Sequence, residues 1–313
     1  MSEPLAGHYS IGIDLGASKA IIGLLDATGE VVRKSRLDMR EKRGDRVVTI
    51  ELIFKEAERL LHGLGIGLGD IGFIGMGVPG TVDREGRQIL LAPNLGWKDF
   101  RVHDLVYERF KVHVRLIQDG SAAALAEYLH GTGKGESVII CVTMGTGIGS
   151  GIIIDGKIYS GAFNTAGEIG HVVVQEDGIQ CGCGQRGCLE TYASGTAIMK
   201  AAGKLEGGSG IDGAKMVFDR ARDGDGEAAR IIRDAARYLG SALVNVVNML
   251  SPNVVVISGG MCEQEELLLR PVQDYVMRKA YPLAIRNETF RVVKASLGED
   301  APMIGAGSLY KGV

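Results

Sequence analysis

Short apolar runs broken by turn residues open the chain, at residues 9–14, 20–26 and 31–37. They are separated by Gly16-Ala17-Ser18-Lys19 and by Ala27-Thr28-Gly29. Two tight turns joining three strands predict an antiparallel meander. The period then changes. Leu52, Ile53, Ala57, Leu60, Leu61 and Leu64 recur at helical spacing and predict a helix near residues 47–64. A strand over 71–78 ends at Pro79-Gly80, and a polar excursion through Pro93-Asn94 leads to a helix near 102–110. A strand at 112–117 and a helix at 121–129 follow.

The second half restarts the pattern. Residues 137–143 predict a strand, 145–151 a glycine-rich turn, and Asp155-Gly156 a hairpin between 151–155 and 157–160. A loop-rich insert covers 161–190. Helices are predicted near 195–202, 212–223 and 226–250, the last with Ile231, Ile232, Ala235, Leu239, Leu243, Val246 and Leu250 on one stripe before Pro252 stops it. A strand at 254–258, a helix near 265–279, a strand at 291–294 and a helix at 303–310 close the chain.

Strand, glycine turn, strand, strand therefore occurs twice with little residue identity, which predicts two α/β domains around a central cleft that grips a polyphosphate from both sides. The boundary is placed near residue 118. The N-terminal domain is 1–118 with the last helix, about 302–313, packing back on it; the C-terminal domain is 119–301. A length of 313 residues suits about two domains.

Composition sharpens this picture in four places. With 45% hydrophobic and 23% charged residues, global disorder is excluded. The 47 glycines are about twice the usual share and cluster beside apolar runs, as turns and ligand-facing backbone require. A net charge of −3 with dispersed Lys and Arg argues against a nucleic-acid partner. No apolar run approaches the roughly 20 residues of a membrane span, and residues 1–10 lack a charged-then-apolar leader, so a cytoplasmic protein without a membrane partner is expected.

Candidate chemistry sits at the turns. In Asp14-Leu15-Gly16-Ala17-Ser18-Lys19, small residues let backbone N–H groups approach phosphate oxygens, and Asp14 suits a hydrated Mg2+. Met144-Gly145-Thr146-Gly147-Ile148-Gly149-Ser150-Gly151 serves the same end in the second half. Singly, each is as well read as an ordinary hairpin turn; their matching places in the two halves favour phosphate. Gly259-Gly260, after a buried strand, suits a nucleoside or a plain strand-to-helix turn. A P-loop is excluded because the Gly-Lys-Ser/Thr pattern is missing, and a Rossmann fold because the glycine turn at 145 leads into a strand.

Five cysteines without a leader point to metal before disulfides. His171, Cys181, Cys183 and Cys188 make a closed tetrahedral zinc set, with Gly182, Gly184 and Gly187 letting the loop fold around one ion. Such a site is structural, since no position is left open. An iron–sulfur cluster is the weaker alternative, usually taking four cysteines. Cys141 and Cys262 read as core or surface thiols.

These residues carry a resemblance. Ala166-Gly167-Glu168-Ile169-Gly170-His171, Cys181-Gly182-Cys183-Gly184 and Gly187-Cys188-Leu189-Glu190 resemble the ROK family of bacterial sugar kinases and repressors. The first and second glycine turns, Gly77-Val78-Pro79-Gly80 and Pro93-Asn94-Leu95-Gly96-Trp97 match in order, over roughly residues 10–310, and the last segment looks most like the glucokinase branch. The resemblance implies an α/β fold of two actin/hexokinase-like (ribonuclease H-like) domains, with the zinc loop in the second. It implies ATP-dependent phosphorylation of a hexose at the 6-hydroxyl, glucose first, with ATP, Mg2+ and structural Zn2+.

Asp119 matches the catalytic base; Asn94, Gln118, Asp119, Glu168, His171 and Glu190 match sugar-binding positions. Asp14, Gly16, Ser18, Lys19, Gly145, Thr146, Gly147, Gly149, Gly259 and Gly260 match the nucleotide site. By position alone Asp119 reads as a helix N-cap. The family usually has Asn-Asp-Ala-Asn where this chain has Gln118-Asp119-Gly120-Ser121, and Gly-Gly-Thr where it has Gly16-Ala17-Ser18. A homodimer or homotetramer is implied by resemblance only. The alternatives are a kinase for another hexose or N-acetylhexosamine, a polyphosphate donor, a non-catalytic sugar sensor, and a repressor. The last would need a helix-turn-helix before the first phosphate turn, for which the segment before Tyr9 is too short.

Overall fold

The computed structural model describes residues 7–40, 45–205, 210–286 and 290–311. Residues 312–313 of the expected last helix and residues 1–6 of the N-terminal stretch read as lacking a leader lie outside them.

The first meander forms as the pattern predicts: β1 (Tyr9–Leu15), β2 (Lys19–Asp26) and β3 (Val31–Asp38) pair antiparallel, with Asp14 opposite Ile21. β1 and β2 are buried almost throughout, whereas β3 is mostly exposed and forms the edge. β4 (Ile71–Val78) adds parallel to β1, and β8 (His113–Gln118) parallel to β4, giving the order β3-β2-β1-β4-β8. Parallel neighbours need crossovers. The first is α1 (Arg46–His62), which Asp45 caps by accepting the Val47 and Val48 N–H groups. Its buried stripe, Ile50, Ile53, Phe54, Ala57, Leu60 and Leu61, shares one core with Ile11, Ile13 and Leu24. Leu64 falls beyond the Gly63 C-cap and is exposed.

The stretch between β4 and α2 (Val102–Phe110) is more ordered than its polar sequence suggests. It folds as a small antiparallel sheet of β5 (Thr81–Val82), β6 (Ile89–Ala92) and β7 (Trp97–Phe100). The last two bury only their end residues, so four-residue strands show no period-two signal. Trp97 packs edge-on against Phe100 at 5.3 Å.

The second sheet, β9 (Val138–Met144), β10 (Ile148–Ile154), β11 (Lys157–Ile158), β12 (Val254–Ser258) and β13 (Arg291–Lys294), has the order β11-β10-β9-β12-β13. A meander followed by two parallel strands is thus built twice. Its helices are α4 (Glu190–Ala193), α5 (Gly195–Ala202), α6 (Ala214–Arg222), α7 (Gly226–Leu250) and α8 (Arg270–Lys279). The stripe of α7 follows the pattern except near its end, where Val247 is buried instead of Val246. The helix expected near 265–279 begins as a π-turn over Glu265–Leu269. Pro271, early in α8, has no N–H to return to the preceding turn, which explains the change of ladder.

The residues form two compact units, 1–134 with 151–166 and 300–313, and 135–150 with 167–299. In the first, α3 (Asp119–His130) packs on α9 (Ala301–Gly307), and a side chain at Gly305 would overlap the Ala122 carbonyl. α9 also lies flush on the sheet: a methyl on Gly12 would overlap the Met303 carbonyl, and one on Gly75 the Ala306 carbonyl. Backbone cannot swing aside as a side chain can. Gly75→Ala is therefore expected to destabilise the protein by about 1–3 kcal/mol, read as a lowered midpoint in urea with unchanged slope. No described helix is long and apolar enough to cross a membrane.

Candidate active site and metal centre

In the first unit the chemistry gathers where parallel strands end, the usual ligand edge of an α/β sheet. Asp14 on β1 pairs with Gly77 on β4, and Gly77 with Ile117 on β8, which runs directly into Gln118 and Asp119. Asp14 and Ile117 lie two strand spacings, roughly 10 Å, apart, with Asp119 two residues beyond Ile117; both aspartates are half-buried. Gly77 stands between them without a side chain.

Asp119 is the first helical residue of α3, and Gln118 is the N-cap, so the capping role that position alone suggests belongs to neither carboxylate oxygen. Asp119 Oδ1 accepts the Gly120 N–H at 2.7 Å. The helix N-terminus favours its ionised form. Gln118 turns its carbonyl to Ser121, whose hydroxyl donates at 3.1 Å. Both line a cavity of about 80 Å³ with Asp83, Ser160 and Asn164. Asn94 is exposed on a single 3-10 turn, Pro93–Leu95, which ends at left-handed Gly96. The turn from Gly16 to Lys19 is closed by Gly16 N–H donating to the Lys19 carbonyl at 2.9 Å, with the Ser18 residue exposed.

In the second unit the glycine turn is shorter than its sequence. Gly145, Thr146 and Gly147 make it, and Gly149 already lies inside β10, because pairing begins at Ile148. Gly145 N–H donates to the Gly147 carbonyl at 3.0 Å. Gly195 and Thr196, opening α5, donate to the Gly145 and Thr146 carbonyls at 2.9 and 3.3 Å. Gly145 and Thr146 are exposed. β12 runs parallel to β9 with Ser258 opposite Thr143, so Gly259 sits beside this turn. Its φ of 92° and the overlap a side chain would make with the Met144 backbone restrict that position to glycine. Gly260 then starts a 3-10 turn, Gly260–Glu263, which leads towards the next helix.

Two acids flank the insert. Glu190 begins α4, and its Oε2 accepts the Ile148 N–H at 2.9 Å. Glu168 is half-buried. Burial raises its pKa above the ordinary glutamate value; the His171 charge lowers it and the Glu190 charge adds to the rise.

The insert brings the four soft donors together. Cys181 N–H donates to the Gln185 carbonyl, and Gly184 N–H to the Cys181 carbonyl, folding a tight turn around Cys183. Bridge pairing of Val173 with Cys188, and the Leu189 N–H donating to the Val172 carbonyl, returns the chain beside His171. One ligand atom from each of His171, Cys181, Cys183 and Cys188 lies within 4.8 Å of all the others. Zn–S bonds of about 2.3 Å place tetrahedral ligands about 3.8 Å apart. Cys183 and Cys188 Sγ are 3.7 Å apart, and Cys181 Sγ is 3.8 Å from His171 Nδ1. The donor set therefore fits zinc in type and spacing. Burial raises the Cys181 thiol and pushes Cys188 up to about 12, while the Gln185 N–H lowers exposed Cys183. Without a cation to replace their protons, the two buried sulfurs stay thiols. Cys141 and Cys262 are buried apart from this group.

Residues 10–313 match the model of the ROK family. A glucokinase of Halalkalibacterium halodurans is 34% identical over 322 residues, with 98% of this chain and 96% of that protein covered. A ROK family glucokinase from Streptomyces griseus, whose crystal structure is a complex with glucose and AMPPNP, superposes with a TM-score of 0.81 at 32% identity, covering 96% of this chain and 98% of that one. A xylose repressor of Bacillus spizizenii is 28% identical over 305 residues, with 96% of this chain but 76% of that protein covered.

Proposed function

The chain belongs to the ROK family and has its two-domain actin/hexokinase-like fold, and from that premise we propose that it is an ATP-dependent glucokinase, transferring the γ-phosphoryl group to the 6-hydroxyl of glucose. One observation carries this: Asp119 stands on the first turn of α3, at the strand-end edge it shares with Asp14. That is where a base and a phosphate-side carboxylate are both needed.

Asp119 accepts the proton of the 6-hydroxyl as its oxygen attacks phosphorus. Phosphoryl transfer otherwise asks for positioning and charge neutralisation. Asn94, Gln118, Glu168, His171 and Glu190 hold the sugar, since carboxylates accept two hydroxyl hydrogens at once. The turn from Gly16 through Ser18 to Lys19, the turn of Gly145, Thr146 and Gly147, and the Gly259-Gly260 step receive the nucleotide. The Gly16 and Gly145 N–H groups close their own turns, and Gly149 supports the second turn from its strand. Asp14, a single half-buried carboxylate, suits Mg2+, which keeps most of its waters. That ion supplies charge neutralisation on the phosphates. Zinc supplies a rigid clasp, held by Cys181, Cys183, Cys188 and His171 Nδ1; the Nε2–H of His171 is left to donate to a sugar hydroxyl.

The same reading takes residues 1–118 with 302–313 as one domain and 119–301 as the other, and the protein as a cytoplasmic homodimer or homotetramer; light scattering tests the assembly.

Glu168 gives the pH dependence. As an acceptor it must be ionised, and burial raises its pKa. Glucose KM is expected to rise as pH falls through that raised value, at a pH above the ordinary glutamate titration near about 4.3. For folding the sign is opposite: the protonated form's advantage is present below the unfolded value and is lost as pH rises through the folded one. Glu168→Gln should flatten the acid limb of glucose KM; an unchanged limb would remove Glu168 as its source.

An ADP-release assay with Mg-ATP and a panel of glucose, mannose, fructose, N-acetylglucosamine and N-acetylmannosamine decides the function. Preference for glucose is the expected result. Preference for another sugar would move the specificity while keeping the chemistry. Sugar binding without turnover, with ATP or polyphosphate, would replace the kinase by a sensor.

A further inference from the structure

Glu190 makes a contact that sugar binding does not require. Its Oε2 accepts the N–H of Ile148, the residue at which β10 begins and the phosphate turn ends. Gly147, one residue earlier, lies directly over the same carboxylate, and a side chain there would overlap Oε2. The other end of the turn is held by α5, through Gly195 and Thr196 N–H to the Gly145 and Thr146 carbonyls. Only Ser194 separates α4, which Glu190 opens, from α5. The turn therefore rests on one short helical corner, fixed by two amides at its start and by a carboxylate at its end. Ile148 itself is buried, so its N–H has no ready exchange for water.

We infer that Glu190 is a positioning residue for the phosphate turn, and that sugar and nucleotide binding are coupled through its carboxylate. The inference rests on the proposed kinase reading, in which Glu190 also holds the sugar. A carboxylate has two oxygens on one rigid plane. Oε2 holds the turn, and Oε1 is left for a sugar hydroxyl. A hydroxyl bound at Oε1 fixes the rotation of the plane, and with it the direction in which Oε2 holds Ile148 N–H. Glucose then orders the turn that receives the phosphates, so less ordering remains for the nucleotide to do.

Calorimetry of Mg-AMPPNP binding, with and without glucose, tests this on the zinc-loaded protein. In the native chain, glucose should tighten AMPPNP by about 5-fold or more, the lower end of usual coupling. Glu190→Gln keeps a carbonyl acceptor for Ile148 but offers the sugar an amide; AMPPNP affinity without sugar should stay within about 3-fold while glucose affinity falls. Glu190→Ala removes the acceptor; AMPPNP should weaken by about 10-fold, a single lost hydrogen bond of about 1.4 kcal/mol, and glucose should no longer affect it. Zinc content and melting confirm the fold. Should the alanine variant not fold, Glu190→Asp withdraws the carboxylate from Ile148 while keeping its charge, and the same weakening is expected. AMPPNP binding to the alanine or aspartate variant as tight as to the native chain overturns the inference alone. A native chain that binds no AMPPNP overturns the kinase reading, and the inference with it.

Discussion

Asp119→Ala is expected to lower kcat by about 10²–10⁴-fold, the usual range for a lost general base, with zinc content unchanged. The 6-hydroxyl is a poor nucleophile until its proton has somewhere to go. Asp119 is half-buried on the first turn of α3, where the helix N-terminus and the Gly120 N–H favour the carboxylate. Gln118 holds the N-cap position, and the Asp119 carboxylate accepts the adjacent Gly120 N–H. Truncation removes that bond together with the proton acceptor. Asp119→Asn keeps the shape and should lose nearly as much, because an amide cannot take the proton. Glucose KM should change far less than kcat, since other polar groups hold the ring. Turnover within a few-fold of the native enzyme in either variant would remove Asp119 from its role.

Loss of the metal ligands should have the other large effect. Cys188→Ser, or prolonged chelation, is expected to disorder the insert, lower the melting temperature, and weaken glucose binding by about 10²-fold or more. Structural zinc contributes about 10–16 kcal/mol of apparent binding energy in small domains. Outside the metal ligands the insert is anchored mainly by buried Ile169 and Leu189 and by a few side-chain bonds, such as Asn164 to the Val82 carbonyl and Ile179 N–H to the Tyr192 hydroxyl. Val172, Val173 and Ile179 are exposed. Its backbone bonds are scattered turns, apart from two isolated bridges, Val173 with Cys188 and Gln180 with Arg186. His171 and Glu190, near the two ends of the insert, would move with it. Native protein should carry about one zinc per chain by elemental analysis. A metal-free protein with unchanged melting and glucose affinity would show that the clasp is not needed.

The elements that the sequence displays are those in which period and burial agree. β4, α2, α5, α7 and β12 lie where their patterns place them, because each is long enough or apolar enough to be recognised. The small sheet of β5, β6 and β7 was hidden, since four-residue strands with buried ends and exposed middles carry no alternation. The break at Glu265–Leu269 was hidden too; the apolar spacing runs through it while Pro271 changes the hydrogen bonding.

The candidate site divides in the same manner. Its residue types were readable, because thiols beside an imidazole, or glycines ending apolar strands, have few chemical uses. Their partners were not. That Gly149 leaves the turn for β10, that Gln118 turns to Ser121, and that Glu190 holds Ile148 depend on pairing register and on contacts between residues as many as 42 positions apart. Sequence alone determined the repeated α/β pattern and the metal donor set, which follow from local periodicity and from side-chain chemistry that each residue carries with it. The carboxylates other than Asp14 were singled out by the family resemblance. Which carboxylate oxygen faces which amide, and which glycines lie under a helix, only the tertiary structure decided, since these depend on where distant backbone comes to rest.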